Sequence, residues 1–572
     1  MNQFPSVSAS ASVAGREWAD VRHEEGIRET IESIVIALIL AFVFRAFIVE
    51  AFRIPTGSMA PTLYGAHGKV ICADCGYEFA YGVRDPEDDR RTLPVRGSAR
   101  AVCPNCNHVN TNLRVNDEQG NAEGGDRILV LKWPLDLGAS FLEPKRWDVT
   151  VFKDPSDGET NFIKRLVGLP NEALMVMDGD LYTVPVEKLS KETADELHQI
   201  VHEKYELREG LKRGTFRPVS EKARVELDEK MHIARKTRTA QEVLWFTVYD
   251  HDYPPRNPDA NQPRWEPALG ERSGWKASNR RVRFTDEGLE NDFLELRGKA
   301  IRASCAYNVL NGGPAPFVND QRVRFVLTPE SGPGVIRLRL EKLNRAFWAA
   351  ISMDGSVTLS ESFDPPRSHT VIMSRSQVAP FRPGQSVEIA FENVDYRLAL
   401  FIGGREVLAS SDDPQSPVYY GPDVPRIRQF RSQLPTVPRM YAEGGDFSLS
   451  HLLVERDEYY YTDPRGRLLD LTWAPDEGWA SMQHPILLRE DEYFMMGDNT
   501  AASKDSRLWD RSASTLRARG QAFQLGTVPR DQIIGQAFFV YWPSGFRLDW
   551  LPVPLLNKLG IIPDVGRMRW IR

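Results

Sequence analysis

Several things are scarce in this sequence, and each shortage removes a class of protein. Only five cysteines occur in 572 residues, too few for a scaffold built on disulfides. There is no long run of Lys and Arg, and the formal net charge is -7, which argues against a nucleic acid as partner. Internal repeats and low-complexity tracts are absent, apart from two short cysteine segments that resemble each other. Long apolar runs are absent too, with a single exception near the N-terminus. What remains is ordinary: 41% hydrophobic and 26% charged residues, enough for a sizeable core in at least one of about three or four domains.

The exception is IVIALILAFVF, Ile34 to Phe44, followed by Arg45 and AFIV. Taken from Ile31 to Val49, it is just long enough to cross a bilayer core of roughly 30 Å as a helix. Arg45 lies near one end, where its head group can reach the interface. Arg16, Arg22 and Arg28 precede the run, so the N-terminus is expected inside and the large remainder outside. A cleaved signal peptide is the alternative, and VEA (Val49 to Ala51) has small residues at the spacing needed for cleavage. The preceding segment is long and mixed in charge, unlike the short basic start of a signal peptide.

Four of the cysteines form CADC (Cys72, Cys75) and CPNC (Cys103, Cys106), with 27 residues between the pairs. Two C-x2-C knuckles can supply four thiolates to a tetrahedral zinc ion, and a loop accommodates the long gap. Disulfides are the competing reading if this region faces an oxidising compartment. His108 is a neighbour, since four cysteines fill the shell, and Cys305 stands alone as a small apolar residue.

Strand-like runs bounded by turn residues dominate the next part of the chain, beginning with DRILVLKW and DVTVFK. ALMVMDGDLYTV predicts a hairpin around Asp178 and Gly179. Lys188 to Lys230 is highly charged and helical in pattern, Pro254 to Arg281 reads as irregular, and Asp292 to Glu455 has the strand spacing of a β-sandwich. The β pattern of the first part then resumes in EYFMMGDNTAASKDSRLWD and IIGQAFFVYWP. Near the end, GFRLDWLPVPLLNKLGIIPDVGRMRW is apolar but broken by prolines, and is expected to pack on the protein or lie at an interface.

Directly after the apolar run stands FRIPTGSMAPTLYG. Gly57 permits tight backbone geometry, while Pro55 and Pro61 stiffen both flanks. Such a turn can fix Ser58, but a serine hydroxyl needs an adjacent base to act as a nucleophile. Lys164, in FIKR, sits between apolar residues. Burial would lower its pKa and make a neutral amine available; left exposed, it is an ordinary surface lysine on an edge strand.

PTGSMAPTL (Pro55 to Leu63), GDRILVLK, FIKRLVGLP (Phe162 to Pro170) and MGDNTAASKDSR (Met496 to Arg507) occur in this order after the apolar run. Together they resemble the successive sequence boxes of the bacterial type I signal peptidases, membrane-anchored serine-lysine endopeptidases. The resemblance covers roughly residues 30–175 and 485–548. It implies that Ser58 is the nucleophile, Lys164 the general base, Thr56 an oxyanion-hole donor beside the Ser58 N–H, and Ser503 the group that orients the lysine amine. By the same likeness Met59 lies at the edge of the substrate pocket, and Arg165, Asp498, Asp505 and Arg507 brace the site. Thr500 and Ala501 depart from the family pattern, which usually has Arg and Asp there.

The implied fold is mainly β: a transmembrane helix, then an all-β peptidase domain interrupted by a four-cysteine ribbon and a concanavalin-like sandwich. The expected division is a cytoplasmic tail (1–28), a transmembrane helix (29–50), and a first peptidase part (51–175) holding the ribbon (69–112). A mixed insertion (176–290), a sandwich (291–456), a second peptidase part (480–548) and a C-terminal tail (549–572) come after it. The implied partners are signal-peptide-bearing preproteins and the lipid bilayer, with a glycan or protein as a ligand open to the sandwich. No cofactor is expected for catalysis, and zinc is expected only as a structural ion. The implied location is the inner membrane, with the catalytic domain on its periplasmic side. The competing reading is an inactive membrane-anchored envelope protein that binds through its ribbon and sandwich.

Overall fold

A computed structural model describes residues 28–40, 42, 45, 48–83, 99–113, 125–132, 143–208, 217–256, 259, 261–278, 280–308, 315–363, 371–430, 435–460, 478–509, 511–519, 523–543 and 565–571. Residues 28–40, 42 and 45 are helical and expose large apolar side chains, among them Ile34, Leu38 and Phe42. The tail 1–27 and several residues of the expected span lie outside the described set. Among the described residues no helix is long and apolar enough to cross a membrane. The expected span also runs too far at its C-terminal end, because Val49 and Glu50 already belong to a strand, Val49–Arg53.

That strand is one edge of an antiparallel sheet that gathers segments from both ends of the chain. Val49–Arg53 pairs with Arg127–Lys132, followed in order by Ile533–Trp542, Val149–Lys153, Asn161–Gly168, Glu492–Met496 and Val528–Pro529. Alternation explains the pairing. In RILVLK, Ile128 and Val130 point inward while Arg127 is exposed, as a strand with one buried face requires. Ile54, Met59, Leu63, Ile128, Val149, Val151 and Ile163 share one apolar cluster. Arg569–Trp570 adds to Ile533–Trp542, so the described end of the C-terminal segment packs on this sheet.

The expected hairpin forms, Glu172–Met177 against Asp180–Pro185. Helices Lys191–Arg208 and Glu221–Lys230 follow in the charged stretch. The sandwich consists of an eight-stranded and a seven-stranded sheet, with Phe325, Ile389 and Leu449 of one facing Leu338, Phe347 and Met440 of the other in a single core. Its strands begin earlier than the sequence pattern suggests. Phe246–Asp250, Arg264–Pro267 and Trp275–Ser278 all belong to these sheets, so the Pro-rich stretch expected to be irregular is partly strand. Short strands with few alternations carry little periodic signal, and neighbours distant in sequence decide their state. The sandwich core is continuous with Ala173, Met175 and Tyr182 of the hairpin, so the insertion and the peptidase half share packing.

Candidate active site and cysteine cluster

The strand Val49–Arg53 runs into Ile54 and then a single 3-10 turn, Gly57–Met59, closed by the Ala60 N–H donating to Gly57 O at 3.1 Å. Ile54, Met59 and Leu63 anchor the turn in the core, which leaves Ser58 facing the inner strands of the sheet. Met59, expected at the edge of a substrate pocket, is completely buried in this core and helps to pin the turn down.

Lys164 lies on Asn161–Gly168, an interior strand opposite Thr150 of Val149–Lys153. It is therefore not an edge-strand lysine, and only 4% of it is exposed. Its Nζ donates to Ser58 Oγ at 2.7 Å and to Ile163 O at 3.0 Å, and stands 5.0 Å from the Phe162 ring. Burial lowers the Lys164 pKa from its ordinary value to about 8, against an opposing pull from Asp505, Asp154 and Asp498. Among the described residues no carboxylate bonds directly to it.

The carboxylates nearby are engaged by arginines instead. Asp498 takes a two-pronged pair from Arg165, Nε to Oδ1 at 2.7 Å and Nη2 to Oδ2 at 2.6 Å, and both side chains are fully buried. Asp505 is held by Arg507 through Nε at 2.8 Å and Nη2 at 2.6 Å, and it accepts the Gly497 N–H at 2.9 Å. Burial would raise the Asp505 pKa, but the Arg507 guanidinium outweighs it and holds the carboxyl below its usual range. These four residues thus form two buried ion pairs.

At Gly497 the C-terminal half passes close to the serine. A Cβ there would lie 2.3 Å from Ser503 Oγ and 2.5 Å from Ser58 O, so only glycine fits. Ser503 therefore borders the site and is buried, yet its hydroxyl has no well-formed hydrogen bond among the described residues and none joins it to Lys164. Thr56 is exposed beside the turn and makes no capping bond. Thr500, in the departing part of the box, donates its N–H to buried Glu458 at 3.3 Å. Burial raises the pKa of Glu458 to about 7. Glu458 carries no signal of this placement in the sequence, whereas Asn499 lies within the box Met496 to Arg507.

The cysteine segments form two matching hairpins, His67–Ile71 with Glu78–Gly82 and Ala99–Val102 with Val109–Leu113. Each knuckle is the turn of its hairpin. The Gly76 N–H donates to Cys72 O and the Asn107 N–H to Cys103 O. All four cysteines are buried, and their sulfurs lie within 4.8 Å of one another, Cys72 to Cys106 at 3.5 Å and Cys75 to Cys103 at 3.7 Å. Four sulfurs about 2.3 Å from a tetrahedral zinc would stand about 3.8 Å apart, so the donor set fits that ion. Asn105 Nδ2 and Asn110 Nδ2 approach Cys75 and Cys72 Sγ at 3.6 and 3.7 Å, as donors to thiolates would. His108 is not part of the cluster. The ribbon docks on the sandwich through Asn105, which accepts from the Asp250 N–H and donates to Tyr253 O, both at 2.6 Å.

A second buried charge cluster was not foreseen. Asp180, Asp320, Asp395 and Asp457 converge where the hairpin meets the sandwich. Lys236 reaches Asp395 and Asp457 at 2.7 and 2.6 Å, and Lys342 reaches Asp180 and Asp320 at 3.0 and 2.5 Å.

Signal peptidase I of Pseudomonas aeruginosa is 31% identical over 137 residues, covering 24% of this chain and 30% of that protein. Signal peptidase I of Buchnera aphidicola subspecies Baizongia pistaciae is 27% identical over 146 residues, 26% of this chain and 31% of that one. The matched segments thus span under a third of the length of these curated relatives. Among solved structures, a carbohydrate binding module from Bacillus subtilis is similar over 33% of this chain and 94% of its own, at 10% identity and a TM-score of 0.22, too low a score to carry any argument about a ligand. The family model for signal peptidase, peptidase S26, matches residues 27–229 and 455–542, just over half of the chain and the same two segments that build the peptidase sheet. The chain belongs to the signal peptidase family, peptidase S26.

Proposed function

We propose that the protein is a membrane-anchored serine endopeptidase that removes signal peptides from exported preproteins, with Ser58 as nucleophile and Lys164 as general base. The observation that carries this reading is the 2.7 Å contact between Lys164 Nζ and Ser58 Oγ, made by a buried lysine that bonds to no carboxylate among the described residues. With the amine neutral, the hydroxyl donates to Nζ, which takes the proton as Oγ attacks the scissile carbonyl. The ammonium then protonates the leaving amine, and the acyl-enzyme is hydrolysed by a water that the same amine deprotonates. The Ser58 N–H, at the start of a one-turn helix and so without an acceptor in that turn, and the Thr56 hydroxyl are the proposed oxyanion donors. Ser503 is proposed to orient the amine once substrate is bound, since hydrogen bonds at such sites tighten in the complex.

The apolar, exposed start of the chain supports an anchor, and Ser58 follows Val49 by nine residues, within about 30 Å even if extended. The nucleophile would then work close to the bilayer, where a signal peptide's cleavage site emerges. The proposed peptidase unit is split by its insertions, and zinc at Cys72, Cys75, Cys103 and Cys106 is proposed as structural, fastening two hairpins and taking no part in cleavage.

The test is cleavage of a preprotein by the detergent-solubilised full chain. Wild type is expected to cut, and Ser58→Ala and Lys164→Ala to fail while remaining folded. Equal behaviour of all three would remove the proposal.

A further inference from the structure

The peptide unit that matters most to the proposed oxyanion hole joins Gly57 to Ser58, because its N–H belongs to Ser58. Its carbonyl, Gly57 O, accepts from Asn499 Nδ2 at 3.0 Å. The Asn499 N–H in turn donates to Ser58 O at 3.0 Å. One asparagine thus grips the carbonyls on both sides of the nucleophile. A bond to a peptide's C=O fixes the direction of its N–H, and it also polarises that N–H.

Asn499 can do this only with its amide the right way round, and a residue of the insertion sets that. Asn308 Nδ2 donates to Asn499 Oδ1 at 2.9 Å, and Asn308 Oδ1 accepts from Asn499 Nδ2 at 2.8 Å. A reciprocal amide pair of this kind uses one Nδ2 hydrogen of Asn499 and leaves the other for Gly57 O. Asn308 is itself delivered to the site by Tyr307. That residue's ring covers Gly57 so closely that a Cβ on the glycine would lie 1.9 Å from Tyr307 Cε1. The Tyr307 hydroxyl donates to Ala66 O at 2.7 Å, and its carbonyl accepts from the Gly82 N–H at 2.8 Å. The ring stacks on Tyr64 with centroids 5.8 Å apart.

We infer that Asn308 is a positioning residue for catalysis, acting through Asn499 on the Gly57–Ser58 peptide, so that the insertion completes the oxyanion site. The inference rests on the proposed role of Ser58. Asn308 touches neither the reacting atoms nor the lysine. Its effect should appear when the carbonyl carbon becomes tetrahedral, not when substrate binds.

The full chain would be compared as wild type, Asn308→Ala, Asn308→Asp, Asn499→Ala, the Asn308→Ala/Asn499→Ala double variant and Ser58→Ala. The readouts are kcat and KM on a preprotein, and inhibition by a peptide aldehyde that adds to a serine nucleophile. Losing an oxyanion donor costs about 10²–10³ in kcat; a misdirected one should cost about tenfold to a hundredfold. Asn308→Ala is expected to lower kcat by that amount with KM unchanged and to weaken the aldehyde in parallel. The double variant should be no worse than Asn499→Ala, because both act on one peptide. Asn308→Asp can accept but cannot donate, and should fall between; it also serves if the alanine variant does not fold. Unchanged kcat in folded Asn308 variants, or a rise in KM alone, would overturn the inference while leaving an inactive Ser58→Ala intact. Activity in Ser58→Ala would overturn the serine reading itself.

Discussion

The active-site cleft and the seam between hairpin and sandwich both bury lysines, and they treat them in opposite ways. In the cleft, Lys164 faces a serine hydroxyl and a carbonyl, while Asp498 and Asp505 nearby are each occupied by an arginine. Burial then dominates, and its pKa falls to about 8. Where the hairpin meets the sandwich, Lys236 and Lys342 are as deeply buried, but each is bonded to two aspartates. Burial pushes their pKa values down too, but the carboxylates outweigh it and raise them well above the ordinary value. Depth alone therefore does not produce a basic amine; the choice of partner does. Arg165 and Arg507, by claiming Asp498 and Asp505, keep those carboxylates off Lys164.

The sharpest way to break this comparison is to remove a lysine from each region. Lys164→Met should cost at least about 10³-fold in kcat/KM for preprotein cleavage. It should also stabilise the fold, since a buried amine whose charged form is disfavoured by desolvation is replaced by an apolar chain of similar length. The sign follows from the depressed pKa. Between about pH 8 and the ordinary lysine value the unfolded chain holds a proton that the folded one lacks, so stability rises with pH across that window, and below it the full cost is present. The gain at pH 7 should be up to about 3 kcal/mol by chemical denaturation in detergent.

Lys236→Met should do the reverse. It leaves Asp395 and Asp457 unpaired in the interior and should destabilise by about 3–5 kcal/mol, with kcat of the folded fraction nearly unchanged. Equal signs for the two lysines in denaturation would mean that their environments do not differ as described.

A smaller and more graded test is pH. If neutral Lys164 is the base, kcat/KM should fall about tenfold per unit below pH 8 and level off above it. A profile flat from about pH 6 to 9 would mean that the amine does not titrate there. Smallest of all for catalysis should be Cys103→Ser. It is expected to take zinc content, measured by atomic emission, from one ion per chain to near zero and to lower the thermal midpoint, while kcat of the folded fraction stays within a few-fold. Loss of midpoint with no metal in wild type would favour disulfides over zinc.

The sequence was most informative where function constrains adjacent residues. The turn at Ser58, the run around Lys164, the box from Met496 to Arg507 and the cysteine knuckles are all local patterns, and the structure brings the first three together. Lys164, read alone, resembled a surface lysine, because a single apolar-flanked lysine cannot report whether its strand is an edge or an interior one. The burial of Met59 was not legible for a related reason: adjacency to Ser58 in sequence does not give the direction of a side chain in a 3-10 turn. The early sandwich strands, from Phe246 onward, were missed because each is only four or five residues long.

What the sequence alone determined is the chemistry available: a serine in a proline-bracketed turn, one candidate base, two thiol pairs and an apolar start. Those follow from residue type and short spacing, which the chain carries in itself. Only the tertiary structure decided that Lys164 meets a serine hydroxyl in the interior, which asparagine steadies the Gly57–Ser58 peptide, and that the insertion reaches the nucleophile at all. Asn308 and Asn499 are 191 residues apart, and Lys236 and Asp457 are 221 apart. Contacts across such separations arise from sheet pairing and shared core packing, which no local pattern encodes.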